Sequence, residues 1–152
     1  MKMYGLGLSC LLCMAACEEQ NSSERTVAEK VTAAFSDAYF NYDFKRAEEY
    51  ITPESRQWLH FAASNVRQET LDVLNQLGDE ELPTVILGGT EAIDDSTQRV
   101  SVTVRNIVDA DSIGQPASVS DEATFRLTLV NREGNWMVKM EGLPRSERRS
   151  RD

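Results

Sequence analysis

Few side chains in this sequence have the type and setting that acid–base chemistry needs. His60 is the one histidine, and it lies beside Trp58, Leu59 and Ala62 without being central to the apolar face that they form. Asp37 lies next to a second apolar stripe. A general base must lie in a cavity, opposite donors that stabilise the developing charge. Residues at the edge of an apolar face are more often surface or boundary residues, so we predict no catalytic residue.

The sequence also has no residue spacing typical of a metal or cofactor site. Its three cysteines are Cys10, Cys13 and Cys17, which leaves no thiol after residue 17 for a disulfide, a zinc site or a nucleophile. Arg105 and Arg126 fall at polar positions of two predicted strands, where a pair of arginines can bind a carboxylate or phosphate. Such arginines more often belong to a solvated or dimerising sheet face. We therefore predict no metal ligand and no cofactor.

Aromatic residues are the remaining candidates for a binding site. Small-molecule pockets are lined mainly by apolar and aromatic side chains with a few polar groups. The candidate pocket-lining residues are Tyr39, Tyr42, Tyr50, Trp58 and Trp136. The alternative, that these are ordinary core aromatics, stays open because spacing alone does not separate a pocket from a core.

The first half of the chain has a helical period. Apolar residues recur at helical spacing from Thr26, namely Val27, Val31, Ala34, Phe35, Ala38 and Tyr42, and Thr26 to Glu29 matches a capping box. Asp43 can cap a short helix that runs to Tyr50. Thr52-Pro53-Glu54 is typical of a helix start, and we predict one long helix from there to a cap at Gly78.

After Pro83 the period changes to 2, which indicates strands with one buried face. The strands are predicted near residues 85–90, 100–105, 123–129 and 136–140. Gly88-Gly89 predicts a bulge, and Glu133-Gly134-Asn135 predicts a tight hairpin. Residues 109–121 are predicted as a polar loop. Helices followed by strands predict an α+β fold with the helices on one face of the sheet.

Two stretches resemble the nuclear-transport-factor-2-like superfamily. Residues 40–55, ending in Thr52-Pro53-Glu54-Ser55, are similar to a stretch in its small bacterial lipoproteins, and residues 134–140 resemble their last strand. The resemblance implies a cone-shaped α+β fold, with N-terminal helices on a curved antiparallel sheet. The group consists of domains of unknown function, once described as lumazine-binding. The resemblance also implies that a small cavity enzyme of isomerase or dehydratase type and a homodimer through the sheet face are compatible with this fold. The missing catalytic residues, together with the N-terminal anchor described next, favour a membrane-anchored, non-catalytic binding or interaction module, and the cavity enzyme is the alternative.

The N-terminus predicts an export signal. Lys2 precedes an apolar run over residues 3–16, which is too short to span a bilayer. Met14-Ala15-Ala16-Cys17 resembles the lipobox of bacterial lipoproteins, in which the cysteine is lipidated. That resemblance implies lipidation of Cys17, and Glu18 after it favours the outer membrane. The alternative is an ordinary signal peptide with an incidental cysteine.

Length and charge complete the predicted organisation. The chain has 152 residues, which suits one domain, and a net charge of −9, which argues against a nucleic-acid partner. We predict a lipoprotein signal peptide over 1–16, a lipidated cysteine and tether over 17–25, one α+β domain over 26–142 and a basic tail over 143–152. The expected location is the bacterial cell envelope. The expected partners are the membrane and either a small molecule or an envelope protein, both unknown.

Overall fold

The computed structural model describes residues 16–109 and 118–147 of the chain. Its helices are α1 (Ala16–Phe40), α2 (Phe44–Ala47), α3 (Arg56–Ser64) and α4 (Gln68–Gln76), with short 3₁₀ turns at Glu48–Tyr50, Pro53–Ser55 and Asp79–Glu81. The strands are β1 (Thr84–Asp94), β2 (Thr97–Asp109), β3 (Ser118–Arg132) and β4 (Asn135–Lys139). They form an antiparallel sheet in the order β1-β2-β3-β4.

The core lies between the helices and one face of this curved sheet. Alternate residues of the two central strands are buried there: Val100, Val102 and Val104 of β2, and Phe125, Leu127 and Leu129 of β3. Phe35, Ala38 and Phe40 of α1 pack against them. Period-2 burial on the strands and a helical layer over that face confirm the predicted α+β fold class.

Helix α1 begins at Ala16, earlier than the predicted start at Thr26. No Gly or Pro interrupts residues 16–40, and the Glu and Gln residues of the predicted tether (17–25) are good helix formers, so an existing helix propagates through them. The capping box predicted at Thr26 is therefore wrong. The buried stripe is also rotated: Val27 is 44% exposed, whereas Ala28 and Thr32 are fully buried. Residues 1–15 of the predicted signal peptide lie outside the described residues.

The single long helix predicted after Thr52 is instead two helices, α3 and α4. Ser64 Oγ donates to the His60 carbonyl at 2.8 Å, and Asn65 Nδ2 donates to the Phe61 carbonyl at 2.7 Å. These side chains compete with the helical backbone bonds and end α3. The predicted cap at Gly78 is also wrong, because α4 ends at Gln76 and Gly78 has a φ of −73°.

The predicted sheet irregularities are confirmed. The pairing of β1 with β2 shifts between Leu87 and Thr90, which places a bulge at Gly88-Gly89. Glu133 and Gly134 join β3 to β4 with φ values of 55° and 85°, as a two-residue hairpin turn requires.

The polar loop predicted over 109–121 is shorter than expected. Ser118 to Asp121 belong to β3, and Ser120 and Val119 pair with Ile107 and Val108 of β2. Residues 110–117 lie outside the described residues.

The start of the predicted basic tail lies against the sheet. Ser146 bridges Phe125 of β3, and the Glu147 N–H donates to the Thr124 carbonyl at 2.7 Å. β4 pairs with residues 128–132 of β3 and does not reach Thr124 and Phe125. Residues 143–147, here called the C-terminal strap, cover backbone groups there that an open sheet edge would expose. Ser146 and Glu147 of the predicted tail are therefore held against β3 by backbone contacts, while residues 148–152 lie outside the described part.

Candidate functional site

A cleft of about 840 Å³ opens between the end of α1, the junction of α3 and α4, strands β2 and β3, and the C-terminal strap. We call it the aromatic cleft. Tyr39, Tyr42 and Phe44 line one side, while Phe40 and Phe125 contribute the deeper apolar surface. The turn at residues 41–43 separates α1 from α2 beside this cleft.

The aromatic side of the cleft is built from rings that hold each other in place. The Tyr39 ring packs edge-to-face on Phe40 and Phe44, with centroid distances of 5.2 and 5.6 Å. Tyr42 meets Phe44 in the same manner at 5.8 Å. Edge-to-face pairs of this kind stabilise one ring orientation. The cleft therefore has a largely pre-formed aromatic wall.

Tyr42 ties this wall to the sheet. Its hydroxyl donates to the Val108 carbonyl of β2 at 2.8 Å. Its φ of 60° is in the left-handed region, which a bulky residue seldom occupies. That conformation ends α1, since the Asp43 N–H donates back to the Ala38 carbonyl at 2.8 Å. Backbone strain of this kind is found mainly where the surroundings fix it, often at functional sites.

Tyr39 presents a neutral phenol to the cleft. Burial raises the pKa of its hydroxyl to about 12, and the neighbouring Tyr42 adds to the shift. Desolvation disfavours the phenolate, so the hydroxyl keeps its proton at physiological pH. It can therefore donate or accept a hydrogen bond, but it is not a base.

The polar part of the cleft lies at the α3–α4 junction. Arg67 and Thr70, at the start of α4, both line it. Thr70 is 1% exposed, and its Oγ1 has no hydrogen-bond partner among the described residues. A buried hydroxyl without a partner is costly, so a native structure seldom keeps one without a reason. Glu122 and Arg145 complete the mouth, where Glu122 Oε2 lies 3.8 Å from Arg105 Nε.

A second cleft of about 880 Å³ shares the strap residues Leu143, Pro144 and Arg145 with the first. Trp58 and the 53% exposed Phe61 form its apolar side. Its other cations are paired within the protein. Arg126 forms an ion pair with Glu147, and Lys139 Nζ lies 3.3 Å from Glu141 Oε1.

The structure separates the five predicted pocket residues. Tyr39 and Tyr42 line the aromatic cleft, and Trp58 lines the second cleft. Tyr50 packs partly buried against the core and Trp136 is buried within it, so neither lines either of these clefts. For Tyr50 and Trp136, the alternative that they are ordinary core aromatics agrees with their positions.

The other sequence candidates do not converge on the aromatic cleft. The His60 side chain is 67% exposed, with Nε2 3.5 Å from Glu48 Oε1, and Asp37 forms an exposed ion pair with Arg46. Arg105 and Arg126 face solvent and pair with different glutamates. Over residues 16–109 and 118–147, no three His, Cys, Asp or Glu side chains are grouped to hold a metal ion.

Sequence reasoning missed Arg67 and Thr70. Both were placed inside one continuous predicted helix, where a polar residue carries no sign of a cleft. The signal that marks them is the Ser64-Asn65 pair, whose side chains end α3, so that α4 begins as a separate helix at Gln68.

No protein-family model matches the chain, and no curated protein matches it. A solved structure described as an "Ntf2 like protein involved in plasmid conjugation" is similar to this chain, with 14% identity and a TM-score of 0.34. The likeness covers 82% of this chain and 51% of the other, so this chain spans about half of that neighbour's length. A likeness of this size identifies neither a family nor an activity for this chain.

Proposed function

We propose that this protein is a lipid-anchored module of the bacterial cell envelope that binds a small molecule in the aromatic cleft without transforming it. The observation that carries the binding proposal is the pre-formed aromatic wall of Tyr39, Tyr42 and Phe44 in a cleft of about 840 Å³ that also has polar lining residues. Ligand sites combine apolar walls with a few well-placed polar groups in this way.

The anchor in this proposal rests on the sequence. Cys17 follows Met14-Ala15-Ala16 at the end of an apolar run, and it is the last cysteine of the chain. Two or more acyl chains on one residue are sufficient for stable membrane attachment. Among the described residues, no helix is both long enough and apolar enough to cross a bilayer.

Binding is favoured over isomerase or dehydratase chemistry by the placement of the acids and bases. A cavity base must reach the substrate, yet His60 and Asp37 lie outside the aromatic cleft. Glu122 is at the mouth, where it is exposed and lies beside Arg105. Tyr39 keeps its proton, because burial raises its pKa to about 12. These side chains suit recognition of a ligand better than proton abstraction from one.

Native mass spectrometry of the full chain, purified gently from its host membrane, tests this proposal. We expect a co-purifying small molecule on the wild-type protein and its loss from Asn65→Trp, which places an indole at the cleft mouth. Ala63→Trp is the matched control, because Ala63 is also exposed on the helical layer but does not line the cleft. A wild-type spectrum without a bound mass, or a bound mass that Asn65→Trp retains, contradicts the proposal.

A further inference from the structure

We propose that the open edge of β3 at residues 119–123 is a docking surface whose occupant is the chain's own C-terminal segment, residues 148–152. This contact goes beyond the proposed function, because it needs no ligand. Three observations carry it: an uncovered strand edge, the direction in which the strap approaches that edge, and the complementary charges of the two segments.

The first observation is that one edge of β3 is only partly covered. β2 pairs with β3 on one side, from Ser118 to Val130. On the side away from β2, β4 pairs with residues 128–132, and the strap contacts Thr124 and Phe125. Among the described residues, no backbone hydrogen bond reaches this side of β3 at residues 119–123. An uncovered strand edge presents unpaired N–H and C=O groups with which another strand can pair.

The period of the strand identifies the groups that this edge offers. Along an antiparallel strand, the backbone groups of successive residues point alternately to the two edges. The Thr124 carbonyl accepts from the strap, so the N–H and C=O of Glu122 and Ser120 point to the same edge. The Asn131 N–H agrees with this alternation, because it donates in the opposite direction, to the Ser96 carbonyl at the turn before β2. A docked strand would therefore pair with Glu122 and Ser120.

The second observation is the direction of the strap. Ser146 lies opposite Phe125, and the Glu147 N–H donates to the Thr124 carbonyl at 2.7 Å, so the strap runs antiparallel to β3 here. Five residues follow Glu147 in the sequence, and the five β3 residues 119–123 lie ahead of it. Extended segments have nearly the same rise per residue. Residues 148–152 thus match the open edge in both direction and length.

The third observation is charge. Residues 148–152 contain three arginines and one aspartate, whereas the edge contains the exposed Asp121 and Glu122. Continuing the register of Ser146 with Phe125 places Arg149 opposite Glu122, and opposite charges directly across two strands stabilise their pairing. Glu122 Oε2 lies 3.8 Å from Arg105 Nε, and an exposed carboxylate has acceptor sites for a second partner.

The strap already uses a contact of this kind. Glu147 forms an ion pair with Arg126, which is a residue of β3. The pair of Arg149 with Glu122 would repeat that contact two residues further along each strand, with the acid on β3 and the base on the docked segment. Docking would also cover a strand edge with which other chains could otherwise pair.

Amide hydrogen exchange, resolved by residue with NMR, compares the full chain in detergent with a variant that ends at Glu147. We expect the Glu122 and Ser120 amides to exchange at least tenfold faster in the shortened variant, because they lose their partner strand. The Ala123 and Phe125 amides, which point to β2, should change by less than threefold. Equal exchange at Glu122 in both chains overturns the proposal. An equal acceleration at Ala123 does so too, because it would mean that β3 as a whole has loosened.

Two proline variants of the full-length chain test the register. In the proposed pairing the Arg149 N–H donates to the Glu122 carbonyl, whereas the Arg148 N–H points away from β3. Arg149→Pro therefore removes a pairing donor, and Arg148→Pro is the matched control, because it removes the same charge without a pairing donor. We expect exchange at Glu122 to rise at least fivefold in Arg149→Pro and less than twofold in Arg148→Pro. Equal effects of the two variants overturn the proposal.

Protein concentration distinguishes this occupant from a second copy of the chain. Pairing within one chain does not depend on concentration, whereas pairing between copies strengthens as the concentration rises. We expect the exchange rate of the Glu122 amide in the full chain to be the same over a tenfold range of concentration. Protection that increases with concentration, or that persists in the variant ending at Glu147, assigns the edge to a second copy and overturns the proposal.

Discussion

At the scale of single residues, the buried hydroxyls of this protein divide into two kinds. Thr32 donates to the Ala28 carbonyl at 2.8 Å, and Thr52 and Ser55 bond to one another at 2.6 Å. Ser36 and Thr70 have no such partner among the described residues. The first kind stabilises the fold, because its desolvation is compensated, whereas the second kind leaves hydrogen-bonding capacity unused.

Ser55 is the hydroxyl on which we expect stability to depend most. Its Oγ accepts from the buried Met140 N–H at 2.7 Å, joining the helical layer to the end of β4. Ser55→Ala leaves that N–H without a partner, so we expect a loss of about 1–3 kcal/mol in the free energy of unfolding. Urea unfolding measures it. Ser64→Ala, which removes an exposed hydroxyl, is the control, and an equal effect of both variants would show that the Met140 contact is not stabilising.

Tyr39 gives a prediction in the alkaline range. Burial raises its pKa from 10.0 to about 12. Above pH 10 the unfolded chain loses this proton first, so the contribution of Tyr39 to stability is complete below pH 10 and declines as the pH rises towards 12. We expect Tyr39→Phe to abolish the phenolate absorbance step near pH 12. If the variant instead lacks a step near pH 10, the burial argument is wrong.

Residue type predicted the aromatic side of the cleft but not its polar side. Tyr39 and Tyr42 stand on the predicted apolar stripe of α1 or beside it, so a pocket or a core at that place follows from helical period. Thr70 carries no such mark, because a lone threonine in a helical segment is ordinary. Its significance depends on burial without a partner, which is a property of the packed chain.

At the scale of elements, local patterns predicted the sheet better than the helices. The alternation in β2 and β3 indicated one buried face, and Gly134 indicated the hairpin, because both signals are set by neighbouring residues. The break between α3 and α4 depends on competition between side-chain and backbone hydrogen bonds. The C-terminal strap depends on pairing between residues that are distant in sequence. Ser64-Asn65 competes with the helical backbone, and Ser146 pairs with Phe125, which is far from it in sequence.

The bulge in β1 makes a prediction that distinguishes two adjacent glycines. A Cβ on Gly88 would lie 3.1 Å from Ser101 Cβ and 3.3 Å from the Ser101 carbonyl oxygen, and the paired backbone of β2 gives little room. A Cβ on Gly89 meets nothing within 4 Å. We therefore expect Gly88→Ala to cost about 1–3 kcal/mol of unfolding free energy, as overpacking does, and Gly89→Ala to change it by less than about 0.5 kcal/mol.

Thermal or urea unfolding of the two variants, measured side by side, checks this prediction. Both substitutions add the same methyl group to the same strand, so propensity effects cancel in the comparison. Equal stabilities of Gly88→Ala and Gly89→Ala would mean that β1 shifts away from Ser101 without cost.

At the scale of the whole molecule, the net charge disfavours non-specific electrostatic attraction of the domain to an anionic bilayer. The chain has a formal net charge of −9, and anionic lipids repel such a surface. In our proposal a lipid on Cys17 provides the attachment, so the domain does not depend on attraction to lipid head groups.

Lipidation of Cys17 is the prediction that decides this arrangement. We expect a fatty-acid analogue fed to the host to label the wild-type chain and not Cys17→Ser, because the lipobox ends at that residue. Cys10→Ser and Cys13→Ser are the matched controls, since they lie in the same apolar run and should keep the label. The mass of the N-terminal peptide should show acyl groups on a chain that starts at residue 17. A label that persists in Cys17→Ser, or a labelled chain that keeps residues 1–16, would remove the anchor from the proposed function and leave the aromatic cleft to be tested on its own.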